Sequence, residues 1–216
     1  GGMEDKGGHN LVVSHLFREF ETANTKKDEK NWSPFLHQSD TRTRRLFLVE
    51  SIVPLSVVEP KWDEIIHEGP KAGLVPIEVV SSSTIDYDVS FWNHGGLRGG
   101  TNAVLIDDSY YLALFHSSTT IPGDGIFKSY FMGAYTFSKS MPFELMGVSA
   151  LPFMDQDLYQ GSYAEIGNRY YDYVVFPMTL MVEDEDTLLL SFGAQDRYGM
   201  LGRLNLQKVL RTLVPV

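Results

Sequence analysis

The chain has 216 residues, 43% of them hydrophobic and 12% aromatic, which is enough apolar material for one substantial core or two small ones. Cysteine is absent, so disulfides, thiolate catalysis and cysteine-ligated zinc are excluded. The formal charge of -10 argues against nucleic acid as a partner, because binding to phosphates needs a basic face.

No apolar run approaches the ~20 residues that a membrane-spanning helix needs, and no N-terminal segment has the order of a signal peptide. We therefore expect no membrane partner and favour a cytoplasmic location. The excess of acidic over basic residues has two interpretations: a solvated acidic surface, or an acidic rim around a sugar site. Neutral sugars do not require positive charge.

The first part of the chain, residues 1–30, is polar and charged and is treated as a separate N-terminal segment. A short strand is expected at residues 10–13 and a loop at residues 22–30. From residue 45 onward the pattern of β-branched and aromatic residues becomes dense. Strands are predicted at 46–52, 56–59, 75–82, 103–106, 110–115, 130–137, 143–148, 174–182, 188–192 and 200–204.

Turn residues separate these runs and predict antiparallel pairs. Asp107-Asp108-Ser109 divides one pair, and the acidic run Glu183-Asp184-Glu185-Asp186 divides another. The one good helical candidate covers residues 205–210. The sequence therefore predicts an all-β protein of short antiparallel strands with less than ~15% helix.

Short blocks with a polar or charged group near a strand end recur along the chain. The blocks are Lys30-Asn31-Trp32-Ser33-Pro34-Phe35, Leu97-Arg98-Gly99-Gly100-Thr101, Ala113-Leu114-Phe115-His116-Ser117-Ser118, Tyr130-Phe131-Met132-Gly133-Ala134-Tyr135, Val174-Val175-Phe176-Pro177 and Ser191-Phe192-Gly193-Ala194-Gln195-Asp196. Rigid strands that present groups at one end are typical of the mouth of a propeller or barrel.

In this order the blocks resemble the C-terminal half of glycoside hydrolase family 130, the β-1,2- and β-1,4-mannoside phosphorylases and hydrolases. The resemblance covers about residues 29–210. It implies a five-bladed β-propeller, with about three blades in residues 31–216 and residues 1–30 as the remnant of an earlier blade. Because a closed ring needs at least about four blades, we expect the chain to be the C-terminal portion of a longer protein.

The resemblance also implies residues that bind sugar or phosphate at the propeller mouth. Lys30 and Asn31 would contact the phosphate or the sugar, and Arg98 would offer a charged fork from a Gly-Gly turn. His116 and Tyr130 would contact the same anion or sugar hydroxyls. Asp196 would hold two vicinal hydroxyls of the sugar.

Each of these residues also has a plain structural interpretation. Asn31 and Asp196 are common turn residues, and Lys30 and Arg98 could be solvated surface charges. His116 could be a satisfied structural histidine, and Tyr130 an aromatic residue of an edge strand. Trp32, Trp92, Phe115 and Tyr135 could stack on sugar rings, although most of the aromatic residues must belong to the core.

Two features depart from the family pattern. The family phosphorylases carry an Arg in a His-Arg-Pro-like block, whereas the comparable place reads Glu50-Ser51-Ile52-Val53-Pro54. The family's catalytic Asp has no match either, so the catalytic residue is unassigned and is expected upstream of residue 1. The missing Arg shifts weight from phosphorolysis to hydrolysis or transfer, and the missing acid motivates a non-catalytic alternative.

The sequence therefore predicts a carbohydrate-active protein that cleaves or transfers mannosyl residues in oligosaccharides, with a mannoside as its ligand. The alternative is a non-catalytic glycan-binding or scaffold propeller, or an inactive fragment. No metal or organic cofactor is expected, and inorganic phosphate is the candidate co-substrate. Self-association through exposed strand edges is expected as well, since unpaired edges invite pairing.

Overall fold

The computed structural model describes residues 20–21, 31–38, 43–69, 72–120, 128–159 and 174–216. The described residues are 55% strand and 6% helix, arranged in three sheets, which confirms the all-β class and the low helix content. The described strands form no closed barrel or propeller. The strand expected at residues 10–13, the loop expected at residues 22–30 and Lys30 lie outside the described residues.

The first sheet has five strands in the order β1-β5-β4-β3-β2. Their bounds are β1 Phe20–Glu21, β2 Ser33–Gln38, β3 Arg44–Ser51, β4 Ser56–Pro60 and β5 Val75–Ser82. The short strand β1 pairs with β5 in parallel, and the other pairs are antiparallel. A 3-10 turn, Trp62–Glu64, follows β4.

The second sheet has six strands and occupies the middle of the fold. Its order is β14-β10-β9-β8-β6, and β7 also pairs with β8. The bounds are β6 Arg98–Gly99, β7 Val104–Ile106, β8 Tyr110–Thr120, β9 Lys128–Ser138, β10 Leu145–Ser149 and β14 Leu213–Pro215. The long strands β8 and β9 pair over 11 positions and make this sheet the most extensive in the protein.

The third sheet has three antiparallel strands in the order β11-β12-β13. These are β11 Val175–Val182, β12 Thr187–Ala194 and β13 Tyr198–Asn205. The helices are short, α1 Gln156–Tyr159 and α2 Leu206–Leu210. The Asn205 side chain caps α2 by accepting a hydrogen bond from the Lys208 amide at 2.9 Å, which explains why the helix begins there.

Alternation along β8 gives the protein two hydrophobic cores. Tyr111 and Phe115 face the first core, which lies between the first and second sheets. Leu112 and Leu114 point the opposite way, into the second core between the second and third sheets. Because successive side chains of a strand point to opposite faces, one strand can serve both cores. The middle sheet is therefore covered on both faces.

One strand from each sheet lies next to the others at this point of the fold: β2, β7 and β11. The Ala103 amide donates to the Pro34 carbonyl at 2.9 Å, which ties the start of β7 to β2. The Asn102 side chain donates to the Leu180 carbonyl and accepts from the Leu180 amide, both at 3.0 Å. These bonds fix the relative position of β2, β6, β7 and β11, and they bring the ends of the three sheets together.

Candidate functional site

Most residues predicted for the site stand at one end of the three sheets. In the second sheet the start of β6, the last part of β8 and the start of β9 meet at this end, because the strands are antiparallel. In the third sheet the start of β11 lies beside the end of β12. Asn31 lies two residues before the start of β2, at the same end of the first sheet. The topology therefore gathers Asn31, Arg98, His116, Tyr130 and Asp196 at strand ends.

Arg98 and His116 are direct cross-strand partners. They lie opposite each other in the antiparallel register of β6 and β8, so both side chains project from the same face of the sheet. Arg98 is exposed, whereas His116 is buried. The pairing places a permanently charged guanidinium at the surface above a buried imidazole.

Two aromatic rings enclose the His116 imidazole. Tyr130 on β9 lies diagonal to His116, with near-parallel rings and centroids 6.2 Å apart. Phe176 on β11 of the third sheet packs closer, at 4.4 Å between ring centroids. Tyr130 and Phe176 are half-buried, so the buried His116 ring lies between two partly accessible rings in one row. We call Arg98, Gly99, His116, Tyr130 and Phe176 the strand-end cluster.

Burial makes His116 a neutral group. Its side chain is only 3% exposed, and desolvation lowers the pKa of its imidazole to about 4. A backbone hydrogen bond with Gly99 opposes this shift in pKa, and the nearby Arg98 charge reinforces it. The Nδ1 atom is buried with no hydrogen-bond partner among the described residues. A buried nitrogen of this kind is costly unless a ligand or water satisfies it.

Glycine at position 99 allows the close approach of the first and second sheets. A Cβ atom at Gly99 would lie 2.0 Å from the Asn31 carbonyl oxygen and 2.8 Å from the Ser33 hydroxyl. At Gly100 it would lie 2.6 Å from Pro177 Cγ and 2.9 Å from the Leu114 carbonyl oxygen. The two glycines thus let one short strand touch both neighbouring sheets, which explains the Gly-Gly pair better than a surface turn does.

Asn31 contributes to the site through its backbone conformation and its carbonyl group. Its φ of 66° is in the left-handed region, which asparagine tolerates better than most residues. Its carbonyl faces Gly99, and its side chain is half-buried. This conformation turns the chain into β2 beside the strand-end cluster.

Buried polar groups lie behind the cluster. Ser33 and Tyr135 are fully buried, and the Ser33 hydroxyl lies beside the Tyr135 phenol. Burial raises the pKa of Tyr135, and the nearby Ser33 hydroxyl opposes that rise. Trp92 Nε1 donates to the buried Ser117 hydroxyl at 3.1 Å. Phe115, Tyr135 and Trp92 are therefore core residues and not sugar-stacking faces.

A loop covers the other face of the second sheet at the same end. The His94 ring lies 4.6 Å from the Phe131 ring and 5.2 Å from the Trp92 ring. A Cβ atom at Gly95 would lie 2.3 Å from the Ser118 carbonyl oxygen, so this loop sits directly on the end of β8. His94 is half-buried, which leaves part of its ring accessible next to the strand ends.

Asp196 stands apart from the cluster in a tight turn. Gln195 and Asp196 have φ values of 55° and 53°, and the Arg197 amide donates to the Ala194 carbonyl at 3.1 Å. These are the features of a hairpin turn of the primed type. The Asp196 side chain is exposed, and no hydrogen bond or ion pair of the described residues joins it to the cluster. The geometry therefore supports Asp196 directly as a turn residue.

Glu50 is a carboxylate that the topology brings to this end of the first sheet. Val49 lies opposite Ser33, so Glu50 comes at the end of β3 next to the start of β2. Its Oε2 atom accepts a hydrogen bond from the Ser56 hydroxyl at 2.9 Å, and the residue is half-buried. The sequence noted this position only for lacking an arginine. Strand pairing, which residue patterns do not reveal, puts its backbone at the end of the first sheet that Asn31 precedes.

Metal ligation is not evident in the part of the chain that the structure describes. That part contains no group of three or more His, Asp or Glu residues arranged to hold a metal ion. Within the same residues, no helix combines the length and apolar character that crossing a bilayer requires. Lys30, the remaining predicted site residue, lies outside the described residues.

Comparison with known proteins found no match for this chain among protein-family models, curated proteins or solved structures.

Proposed function

We propose that the three sheets are successive blades of a β-propeller and that their shared end binds an oligosaccharide of the mannoside class. Support for blades comes from the middle sheet, whose two faces pack against the other two sheets through separate cores. The adjacent inner strands β2, β7 and β11 give further support, since the blades of a propeller meet along a central channel.

The observation that carries the ligand proposal is the arrangement around His116. The row of Phe176, His116 and Tyr130 rings offers apolar faces, and the unpartnered Nδ1 of His116 offers a polar atom within that row. A sugar presents both an apolar ring face and hydroxyl groups. The combination suits a sugar better than a purely polar or purely apolar ligand.

The protonation state of His116 favours a hydroxyl over an anion as its partner. With a pKa of about 4, the imidazole is neutral at pH 7 and adds no positive charge to the site. A neutral imidazole can donate from one nitrogen and accept at the other. Arg98 is then the charged group of the cluster, and it is exposed. The phosphate-binding role expected for His116 is thereby weakened relative to sugar binding.

The proposed activity is cleavage or transfer of mannosyl residues. In phosphorolysis, phosphate would attack the anomeric carbon while an acid protonates the leaving oxygen. Glu50 is the carboxylate that we assign to the acid role within the described residues, because strand pairing puts its backbone at the same end of the first sheet as Asn31. Inorganic phosphate is the proposed co-substrate, with Arg98 as its anchor.

A second candidate is a glycan-binding protein without catalysis. The observation that favours it is the lack of any hydrogen bond or ion pair between the cluster and a carboxylate among the described residues. Both candidates use the same sugar-binding row, so they differ only in turnover.

One assay separates the candidates. The protein is incubated with β-1,2- and β-1,4-mannobiose, with and without phosphate, and mannose and mannose 1-phosphate are quantified while binding is measured by calorimetry. Turnover that disappears in Glu50→Gln supports the enzyme. Binding without turnover supports the glycan-binding alternative. Neither binding nor turnover, in a protein with the β circular-dichroism spectrum of a folded chain, would refute both.

A further inference from the structure

A cavity of about 1010 Å³ opens at the opposite end of the first and second sheets. It is lined by the end of β2, the start of β3, the turn between β7 and β8, and the turn between β9 and β10. Its size is at the upper end of small-molecule sites, which are about 300–1,000 Å³. We propose that this cavity is a second binding site, one for a small oxyanion ligand that carries carboxylate or phosphate groups.

Two cationic side chains line the cavity and point to an anionic ligand. Arg44 enters from the start of β3, and Lys139 enters from the turn after β9. Arg44 is exposed and has no ion pair with a described residue. The adjacent Arg45 is committed elsewhere, since its guanidinium binds both carboxylate oxygens of Glu59. A guanidinium and an ammonium from different elements can clamp one oxyanion between them.

The position of Lys139 is fixed by bonds between two turns. Its backbone amide donates to the Ser109 carbonyl at 3.4 Å, and its ammonium pairs with the Asp108 carboxylate. The neighbouring Ser138 hydroxyl donates to the Ser140 carbonyl and accepts from the Glu144 amide, both at 2.9 Å. The Asp108 side chain is 80% exposed, so its ion pair with Lys139 is weak and leaves the ammonium available to a ligand.

His37 forms the polar floor of the cavity, and its hydrogen bonds assign its tautomer. The Tyr111 hydroxyl lies 3.1 Å from His37 Nδ1 and 3.1 Å from the Leu36 carbonyl oxygen. A carbonyl can only accept, so the single hydroxyl hydrogen goes to Leu36. The hydroxyl oxygen then accepts from His37, which places the imidazole hydrogen on Nδ1 and leaves Nε2 as the acceptor. A neutral ring in this tautomer gains a donor at Nε2 when it is protonated.

The charges around His37 couple its proton to the ligand. Burial lowers the pKa of the imidazole, and the Lys139 and Arg45 charges lower it further. The other groups packed around this ring are the Tyr111 hydroxyl and the rings of Phe47 and Phe143, and the Asp108 carboxylate acts on Tyr111 from the cavity rim. A bound oxyanion would offset the positive potential of Lys139. Binding should therefore raise the pKa of His37.

The test uses inorganic phosphate and citrate as separate probes on the full chain. Binding is measured by calorimetry, and the imidazole resonances of His37 are followed by NMR as a function of pH with and without each probe. Arg44→Gln and Lys139→Gln each remove one of the two cations that we propose to hold the oxyanion. Arg203→Gln removes an exposed arginine on the third sheet, and Arg98→Gln removes the cation of the strand-end cluster. Binding of both probes indicates general oxyanion recognition, whereas binding of one alone identifies phosphate or carboxylate as the preferred group.

We expect saturable binding of at least one probe and a higher pKa of His37 in its presence. In Arg44→Gln and Lys139→Gln the affinity for that probe should be about tenfold weaker, on the scale of one lost charged hydrogen bond. Arg203→Gln should bind that probe as the unaltered chain does, and Arg98→Gln should lose only the phosphate held at the strand-end cluster. Unchanged affinity in both cavity variants would overturn the proposal, as would an unchanged pKa of His37 at saturation. Loss of all phosphate binding in Arg98→Gln, with binding unchanged in both cavity variants, would assign the phosphate to the strand-end cluster and overturn the proposal while leaving the proposed mannoside function intact.

Discussion

Arg98 lies directly opposite His116 across β6 and β8, so a charged guanidinium and a neutral imidazole share one face of the middle sheet. Their difference in burial separates their roles. The exposed arginine can meet a charged ligand from solvent, and the buried histidine can only exchange hydrogen bonds within the row of rings. This division of roles is the basis for the first two predictions.

Replacing His116 with phenylalanine should weaken sugar binding without unfolding the protein. The substitution keeps a planar ring against Phe176 and removes the unpartnered Nδ1. We expect the free energy of unfolding at pH 7 to change by less than about 1 kcal/mol, because the loss of an unsatisfied buried atom offsets the loss of the hydrogen bond with Gly99. Mannobiose affinity should fall about tenfold or more. Urea unfolding and calorimetry measure the two effects.

His116→Ala is the matched control for packing. It removes the same nitrogen and also the ring, so it should lower the free energy of unfolding by about 2–4 kcal/mol through the cavity that it leaves. If His116→Phe bound mannobiose as well as the unaltered chain, the imidazole would have no role in recognition.

Acid should destabilise the protein through His116 over a defined pH range. The folded pKa of about 4 lies below the unfolded value of 6.5, so the folded state resists a proton that the unfolded chain accepts. Above pH 6.5 both states are neutral and the stability is complete. As pH falls from 6.5 toward 4, up to about 3 kcal/mol is lost, at about 1.4 kcal/mol per pKa unit.

The contribution of His116 to the pH dependence of stability is obtained by comparing the unaltered chain with His116→Phe. Urea unfolding is measured at several pH values between 7.5 and 4.5 for the unaltered chain and for His116→Phe. The variant should lose less stability over this range, whereas His37, whose pKa is also lowered, affects both proteins equally. Parallel pH profiles for the two proteins would show that His116 titrates normally in the folded state.

The strands that sequence patterns predicted best are those with long apolar or β-branched runs. The prediction of a strand at residues 75–82 matches β5 Val75–Ser82, and the hairpin around Asp107-Asp108-Ser109 matches the β7–β8 turn. β2 was missed as a strand because Pro34 lies within it, and proline usually interrupts a ladder. β1, β6 and β14 have three residues or fewer, too few to show any period.

The site was harder to predict than the fold because it depends on register. The sequence identified Arg98 and His116 separately, but only strand pairing makes them direct neighbours. Phe176 reaches His116 from a different sheet, more than fifty positions along the chain, and no local pattern signals that contact. The two glycines at 99 and 100 were assigned to a ligand-facing turn, whereas their close neighbours are Asn31, Pro177 and Leu114.

Gly99→Ala should strongly destabilise the protein because it pushes the first two sheets apart. The added methyl group would lie 2.0 Å from the Asn31 carbonyl oxygen, which belongs to the backbone and cannot rotate away. We expect a loss of about 1–3 kcal/mol or more in the free energy of unfolding, the range of overpacked cores. Gly199→Ala is the control, since nothing lies within 4 Å of its Cβ position. Equal effects of the two substitutions would contradict the tight contact at Gly99.

Glu59 should be the carboxylate whose neutralisation costs the most stability in the first sheet. Burial alone would raise its pKa, but hydrogen bonds from Lys61 and Arg45 outweigh burial and hold the pKa below its usual value. Glu59→Gln leaves both cations without their shared partner, at a cost of about 1–3 kcal/mol. The control is Glu78→Gln, which also removes a Lys61 ion pair but at a side chain that is 59% exposed. There we expect less than about 0.5 kcal/mol, measured by urea unfolding at pH 7.

We expect the protein to self-associate through its third sheet. Leu201 on β13 is 79% exposed, and Met178 and Met181 on β11 are each 56% exposed. An apolar side chain on a strand at the end of a sheet favours pairing with a second molecule. Leu201→Lys should therefore shift the sedimentation distribution toward the monomer without changing the β circular-dichroism spectrum. Leu151→Lys is the control, because Leu151 is 69% exposed but lies outside the strands. A monomer at every concentration tested, or the same shift in both variants, would show that the exposed face of the third sheet does not drive association.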